Sequence, residues 1–327
     1  MKNRIRLKYI CFFLFVTQLF FAQTANSEKK EYDFVVAKDG SGDFKTIQEV
    51  INAVPFLKIT ETKILIKNGT YKEKLEIPEN KNKITFIGET KEKVILTYDD
   101  YASKKNSVGE NIGTSGSASF IVTGNDFKAQ NITFENAAGP VGQAVAVRVD
   151  GDRIFFDNCK FLGFQDTLYP RSGTSRQYYK NCYIEGTIDF IFGASTAVFD
   201  QCEIFAKKEG GYLTAASTTE NKAYGFVFLN CKLTTNSENN SYYLGRPWRN
   251  FAKTVFIKCE IAGHIIPEGW HNWNKPEAEA TIFYAEYLST GKGANAASRV
   301  SWSHLLKAEE VATNYAVNVI FKDWIPN

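Results

Sequence analysis

Histidine is scarce in this sequence: His264, His271 and His304 are the only three in 327 residues. No C-x-x-C pair occurs, so the usual ligand set of a structural zinc site is missing. No G-x-S-x-G occurs either, which removes the nucleophile elbow of an α/β-hydrolase. The histidines are too few and too badly placed for a Ser-His-Asp triad. No long basic run is present, which argues against a nucleic-acid partner. Beyond the first 22 residues no apolar stretch is long enough to span a bilayer. By elimination, any chemistry falls to Asp, Gln and Arg.

The first 22 residues stand apart. Lys2, Arg4, Arg6 and Lys8 precede the apolar stretch ICFFLFV…LFF, which ends at Ala22. A positive start, a short hydrophobic core and a small residue describe a secretory signal peptide. The expected organisation is a signal peptide over 1–22 and one domain over 23–327, secreted to the periplasm or the cell exterior. Without the leader, 35 basic residues face 36 acidic ones, so the net charge of +3 becomes −1. Five cysteines remain after Cys11 leaves with the leader. An odd number leaves at least one thiol unpaired within a chain.

Those five cysteines mark a repeat. Their contexts are FFDNCKF, YYKNCYI, VFDQCEI, VFLNCKL and VFIKCEI, centred on Cys159, Cys182, Cys202, Cys231 and Cys259. FKAQNITF (127–134) is an earlier copy without cysteine. Self-similarity at a period of roughly 20–30 residues signals a solenoid. The units are short and rich in Phe, Val and Ile, as strands are, and no helical pattern separates them. The reading is an all-β, parallel β-helix, each repeat one coil, with the cysteines stacked in its core as small apolar residues. An exported protein also permits a disulfide between neighbouring coils, such as Cys182–Cys202. FKTIQEVINAV (44–54) has helical spacing and a stop at Pro55, so a short helix is expected to plug the N-terminal end. SHLLKAEEVATNYAV (303–317) reads as a second helix, capped by Ser303. DGSGD (39–43) reads as a Gly-rich turn rather than a calcium loop. The polar loop 102–119 is expected on the rim of a groove.

The coil spacing also places chemistry. Asp166 follows Cys159 at the same distance in sequence as Asp189 follows Cys182. Gln143 precedes Asp166 by the interval that separates the two cysteines. With parallel strands about 4.8 Å apart, the two carboxylates become neighbours with an amide beside them. Two such carboxylates split their pKa values, one rising and one falling, which suits an acid and a nucleophile. Alternation in TIDFIFG (187–193) puts Ile188, Phe190 and Phe192 on the core face and turns Thr187, Asp189 and Ile191 outward. An ionised Asp189 then needs a cation. Arg246 in YYLGRPWRN is favoured and Arg249 is the alternative. Trp248 would share the face of Arg246.

GQAVAVRV (142–149), GFQDTLY (163–169), DFIFG (189–193) and LGRPW (244–248) resemble, in order and spacing, the four signature segments of pectin methylesterases. NGTYKEKLEI (68–77) and DGSGDFKTIQEV (39–50) are similar to that family's earlier segments, so the resemblance covers about residues 33–325. It implies a right-handed parallel β-helix with short capping helices. It also implies hydrolysis of galacturonate methyl esters in pectin, with release of methanol. By resemblance, Asp189 is the nucleophile and Asp166 the acid and base. Gln143 and Gln165 hold the oxyanion, and Arg246 orients Asp189. Thr114, Tyr169, Phe192, Trp248 and Trp270 join Gln143 and Arg246 as substrate-binding residues. No cofactor or metal is implied; the partner is methyl-esterified homogalacturonan, with no nucleic acid and no membrane, and the enzyme is expected to be a monomer. The absence of an inhibitory pro-domain reads as the bacterial type. Loop 102–119 and region 207–222 depart from plant versions and are expected to shape the groove walls. A glycosidase or lyase on polygalacturonate is the alternative, since carboxylates about 5–5.5 Å apart also serve retaining glycosidases. A non-catalytic carbohydrate-binding β-helix is the other.

Overall fold

The computed structural model describes residues 31–208 and 210–326. The signal-peptide reading of 1–22 lies outside them. Among the described residues, three parallel sheets of 11, 7 and 8 strands run the length of the protein. Successive strands of the chain pass from one sheet to the next, and each pairs with its counterpart one coil away. This is a parallel β-helix, with the right-handed sense that parallel crossovers take.

The polar-Cys repeat builds one corner of six successive coils, from Asn131 to Cys259. Strands of the 11-stranded sheet end at Gln130, Asp157, Lys180, Asp200, Leu229 and Ile257; strands of the 8-stranded sheet begin at Thr133, Lys160, Tyr183, Glu203, Lys232 and Glu260. Two residues always lie between. The first, Asn131, Asn158, Asn181, Gln201, Asn230 or Lys258, has φ between 51° and 56°. Asn is one of the few residues that tolerate this left-handed region, and Asn158 Nδ2 donates to Asn131 Oδ1 (2.7 Å) along the row. The second turns inward: Ile132, then Cys159, Cys182, Cys202, Cys231 and Cys259, all 0–2% exposed. The five cysteines are free thiols, so Cys182 and Cys202 form no disulfide here. Their Sγ atoms face backbone carbonyls of the coil before, as Cys202 does Tyr179 O (3.3 Å). Beside them runs an aromatic ladder of paired residues, Phe156, Tyr179, Phe199, Phe228 and Phe256, with ring centroids 4.4–5.2 Å apart and planes within 12°. Such offset stacks add to simple area burial.

The N-terminal helix forms as read. It spans Ile47–Ala53, Thr46 caps it in a box with Glu49, and Ile47, Val50 and Ile51 are buried. The C-terminal region differs. His304–Leu305 is a strand that extends the 11-stranded sheet, and the helix covers only Ala308–Asn314, with Lys307 at its cap in place of Ser303. Backbone pairing with Ala285 and Glu286 takes the segment that would have been the first turn. A short helix Val317–Phe321 follows. Leu306, Ile320 and Phe321 pack on Phe155, Tyr178, Val198 and Val227, on the outward side of the 11-stranded sheet, and Arg176 anchors the segment through Phe321 O and Asp323. The stretch 39–43 is a turn in which Asp39 Oδ1 accepts from the Ser41 amide and hydroxyl.

Candidate active site

A cleft of about 580 Å³ opens over the 7-stranded sheet. Its floor carries Asp166 and Asp189. Leu168 pairs with Ile191, the same offset in sequence that separates Cys159 from Cys182, and the Asp166 amide donates to Ile188 O (3.1 Å). The two aspartates therefore hold equivalent positions on adjacent coils. Both are in the left-handed region, at φ 66° and 51°. Each has a glycine three positions before it. A Cβ at Gly163 would come 2.6 Å from Thr167 Oγ1, and one at Gly186 would come 2.2 Å from Phe190 Cβ. The missing side chain lets the residue after each aspartate tuck beneath the turn. Thr167 Oγ1 fixes the first turn by donating to Glu185 O (2.8 Å). Unusual backbone held this firmly by its surroundings clusters at functional sites.

That backbone overturns the simple alternation. The pairing shifts between Ile188 and Ile191. Phe190 and Ile191 both enter the core, whereas Phe192 turns out into the cleft with Tyr169, Val145 and Ala215. The left-handed turn at Asp189 consumes the half-period that alternation would have kept. Asp189 itself still faces the cleft. Gln143 is a second correction. Val147 pairs with Leu168, an offset two shorter than the one between Leu168 and Ile191, so Gln143 sits two positions off the row of the aspartates. The parity is preserved, and Gln143 lines the cleft with Gln165.

Arg246 is the cation. Its Nε and Nη2 contact Asp189 Oδ1 and Oδ2 at 2.8 and 2.7 Å. The guanidinium is clasped between the rings of Tyr212 (3.8 Å) and Trp273 (3.7 Å). Planar stacking of this kind is available to Arg and not to Lys. Arg249 points elsewhere, with Nη1 on Trp248 O. The Asp166 carboxyl has no hydrogen-bond partner among the described residues, although Asp166 is only 7% exposed. Burial pushes Asp166 well above the usual carboxylate range, the neighbouring Asp189 adds to that, and Arg246 offsets part of it. Burial also raises Asp189, against the fall expected for it, but its hydrogen bonds to Arg246 hold it back. Of the two, Asp166 therefore holds a proton more readily, and Asp189, gripped by Arg246, holds the charge more readily.

The walls follow from elements on either side. Loop 102–119 contributes Ile112, Gly113, Thr114 and Ser115 through a short helix, Gly113–Gly116. Tyr169 stacks on Phe192 (4.0 Å), and Trp248 tilts against both at 6.1 and 5.9 Å. Region 207–222 contains the strand Gly211–Ala216, which supplies Ala215. Trp270 does not belong to the wall. It is 1% exposed and stacks on Tyr284 (4.3 Å) in the core, because its backbone bridges to Gly245 and turns the indole inward. Trp273 takes the place expected of it. Sequence reasoning does not single out Trp273 or Tyr212, since both are defined by their contact with Arg246 and neither lies in a signature segment.

A sequence profile described as Pectinesterase matches residues 33–323. The chain belongs to the pectinesterase family. Pectinesterase 31 of Arabidopsis thaliana is 42% identical over 84% of this chain and 88% of its own. The structure of the pectin methylesterase from carrot superposes with a TM-score of 0.84 at 33% identity, over 91% of this chain and 96% of that one. A pectin methylesterase in complex with a hexasaccharide superposes at 0.79 and 32% identity, over 90% and 98%. The chain spans about half the length of several pectinesterase/pectinesterase inhibitor proteins it also matches.

Proposed function

We propose that the cleft hydrolyses the methyl esters of galacturonate units in pectin. The supporting observation is the asymmetry of the two carboxylates: one clamped by Arg246, the other without a hydrogen-bond partner among the described residues and pushed by burial well above the usual carboxylate range, both facing one cleft of a pectinesterase-family fold. In this reading Asp189 attacks the ester carbonyl. The Gln143 and Gln165 amides donate to the tetrahedral oxyanion, each worth about 3–4 kcal/mol in comparable sites. Asp166 gives its proton to the leaving methoxide, and methanol departs. The resulting acyl-enzyme joins galacturonate to Asp189. Asp166, now a carboxylate, takes a proton from water as the water attacks. The products are free galacturonate and the starting enzyme. No step calls for a metal.

Thr114, Tyr169, Phe192, Trp248 and Trp273 line the sugar path in this reading. Residues 1–22 serve as its export leader, with 23–327 the single catalytic domain. No helix among the described residues is long and apolar enough to cross a membrane. The reading takes the enzyme as a bacterial type acting as a monomer, although the curated relative above is a plant protein.

The test is an assay of the mature protein on highly methylated pectin. Methanol release with unchanged viscosity is expected, and viscosity loss without methanol would favour a depolymerase. Asp189→Asn should abolish methanol release with an unchanged circular dichroism spectrum; retained turnover would remove Asp189 from the nucleophile role.

A further inference from the structure

Arg246 fixes Asp189 by its carboxylate, but Asp166 is not fixed in that way. No hydrogen bond holds the Asp166 carboxyl among the described residues, so its aim is set by the backbone of the turn 163–167. That turn is left-handed at Asp166, a conformation that persists only when its surroundings hold it. A cation outside the cleft lining supplies part of that hold. Lys207 follows the strand Glu203–Ala206, and its amide donates to Gly186 O (2.9 Å) on the coil of Asp189. Its side chain reaches back to the coil before. Nζ donates to Gly163 O (3.2 Å) and lies 3.6 Å from the centre of the Phe164 ring. These are the two residues that lead into Gln165 and Asp166. Glu185 completes the anchor: Oε1 pairs with Lys207 Nζ (2.8 Å), and Oε2 accepts from the Tyr183 hydroxyl (2.9 Å). Lys207 is itself held at its carbonyl, which accepts from the Tyr242 hydroxyl (2.6 Å). The Lys207 and Glu185 side chains are largely covered, and an ammonium shielded from water grips a ring face more strongly than an exposed one. The charges that act on Asp166 are Asp189 and Arg246, and Lys207 is not among them. Its hold on Asp166 therefore runs through the backbone.

We infer that Lys207 is a positioning residue for the reaction: through Gly163 and Phe164 it holds the turn that aims Gln165 and Asp166 into the cleft, without touching the substrate. The inference rests on the esterase reading for what those two residues do. The two aspartates, alike in backbone, thus have separate anchors. Arg246 grips one carboxylate, and Lys207 grips the turn that carries the other. A displacement of about 1 Å at reacting groups can cost about a hundredfold in rate. A loosened turn should therefore lower turnover and leave sugar binding nearly intact, because the cleft walls do not depend on Lys207.

Methanol release by Lys207→Met is compared with that of the wild type. kcat should fall about 10–100-fold with KM within about twofold. Lys207→Arg keeps a donor and a cation over the ring and should recover most of the loss. The neighbouring Lys208 is exposed, and Lys208→Met should match the wild type. A mere loss of folded protein would scale the pH profile of kcat/KM without moving it. A released turn admits water to Asp166, so the alkaline limb should move to lower pH by about one unit, while the acid limb set by Asp189 stays. An unchanged kcat, or a lower one with the alkaline limb in place, overturns the proposal. If Lys207→Met does not fold, Phe164→Leu carries the same test, since it removes the ring and leaves the Lys207–Glu185 pair; the same limb should move. Amide hydrogen exchange reads the anchor apart from the chemistry. Peptides covering 163–168 should exchange about fivefold faster in Lys207→Met than in the wild type, and Lys207→Arg should restore the wild-type rate. If the wild type releases no methanol while this difference holds, the esterase reading fails and the anchor stands. Equal exchange in Lys207→Met and wild type overturns the anchor whatever the activity.

Discussion

Asp166 and Asp189 are the same residue type in the same backbone conformation on adjacent coils, and one contact separates their roles. Arg246 forks onto Asp189 and reaches Asp166 only through space. Removing Arg246 leaves a buried carboxylate unpaired, a loss of about 3–5 kcal/mol. Arg246→Ala should therefore lower the denaturant midpoint as well as the activity. Arg246→Lys should recover more stability than turnover, because an ammonium keeps the charge but not the two-point grip or the stacking between Tyr212 and Trp273. Burial holds the Asp166 proton in the folded state to a higher pH than in the unfolded chain. Stability attributable to Asp166 is thus lost as pH rises from the ordinary carboxylate range through its raised folded value. Asp166→Asn should melt at a higher temperature than wild type at pH 7 and show little difference at pH 3, while losing methanol release at both. In the wild type, kcat/KM should fall on the alkaline side as Asp166 loses its proton and on the acid side as Asp189 gains one. At this scale the aspartate spacing and the Arg partner are legible in the sequence. The place of Trp270 is not, because two tryptophans so close in sequence look alike until the backbone shows which one turns inward.

The recurring element is a two-residue corner, left-handed then inward. A β-branched residue in the left-handed region is costly, and the usual penalty is about 1–2 kcal/mol. Asn181→Val should lower thermal stability by that order, whereas Asn181→Gly should stay near wild type; calorimetry distinguishes them. The corner is legible as a polar residue followed by Cys, because position and residue type are both dictated by φ and by the space between stacked coils. The alternation expected along 187–193 fails for the same reason in reverse. A left-handed aspartate within a strand shifts every later side chain by one face, and nothing in the apolar pattern of Phe190, Ile191 and Phe192 announces the shift. The helix expected over 303–317 starts late because its first residues are committed to a sheet edge far away in sequence, a tertiary demand that local propensity does not carry.

Across the whole molecule, the C-terminal segment acts as a cover. It lies on Phe155, Tyr178, Val198 and Val227 and does not line the cleft. A chain ending at Leu306 should bare a contiguous apolar face, bind ANS and scatter light on warming, while its soluble fraction keeps normal methanol release per molecule. The five core thiols should be inert to Ellman's reagent in the native protein and react fully in guanidinium chloride, since none is more than 2% exposed.

From Asn131 to Cys259 the corner keeps its two-residue length, but the coils do not: Cys202 follows Cys182 closely in sequence, whereas Cys231 lies much farther beyond Cys202. All of that variation is taken up at the two other corners, which border the cleft sheet: residues 163–167 and 171–175 in one coil, 217–225 in the next but one. The side of the molecule that keeps rung distance is thereby insulated from the side that meets the polymer. The segments flanking the cleft carry the differences in coil length. A graft that replaces 217–225 should redraw which chains are accepted while leaving Asp166 and Asp189 one rung apart.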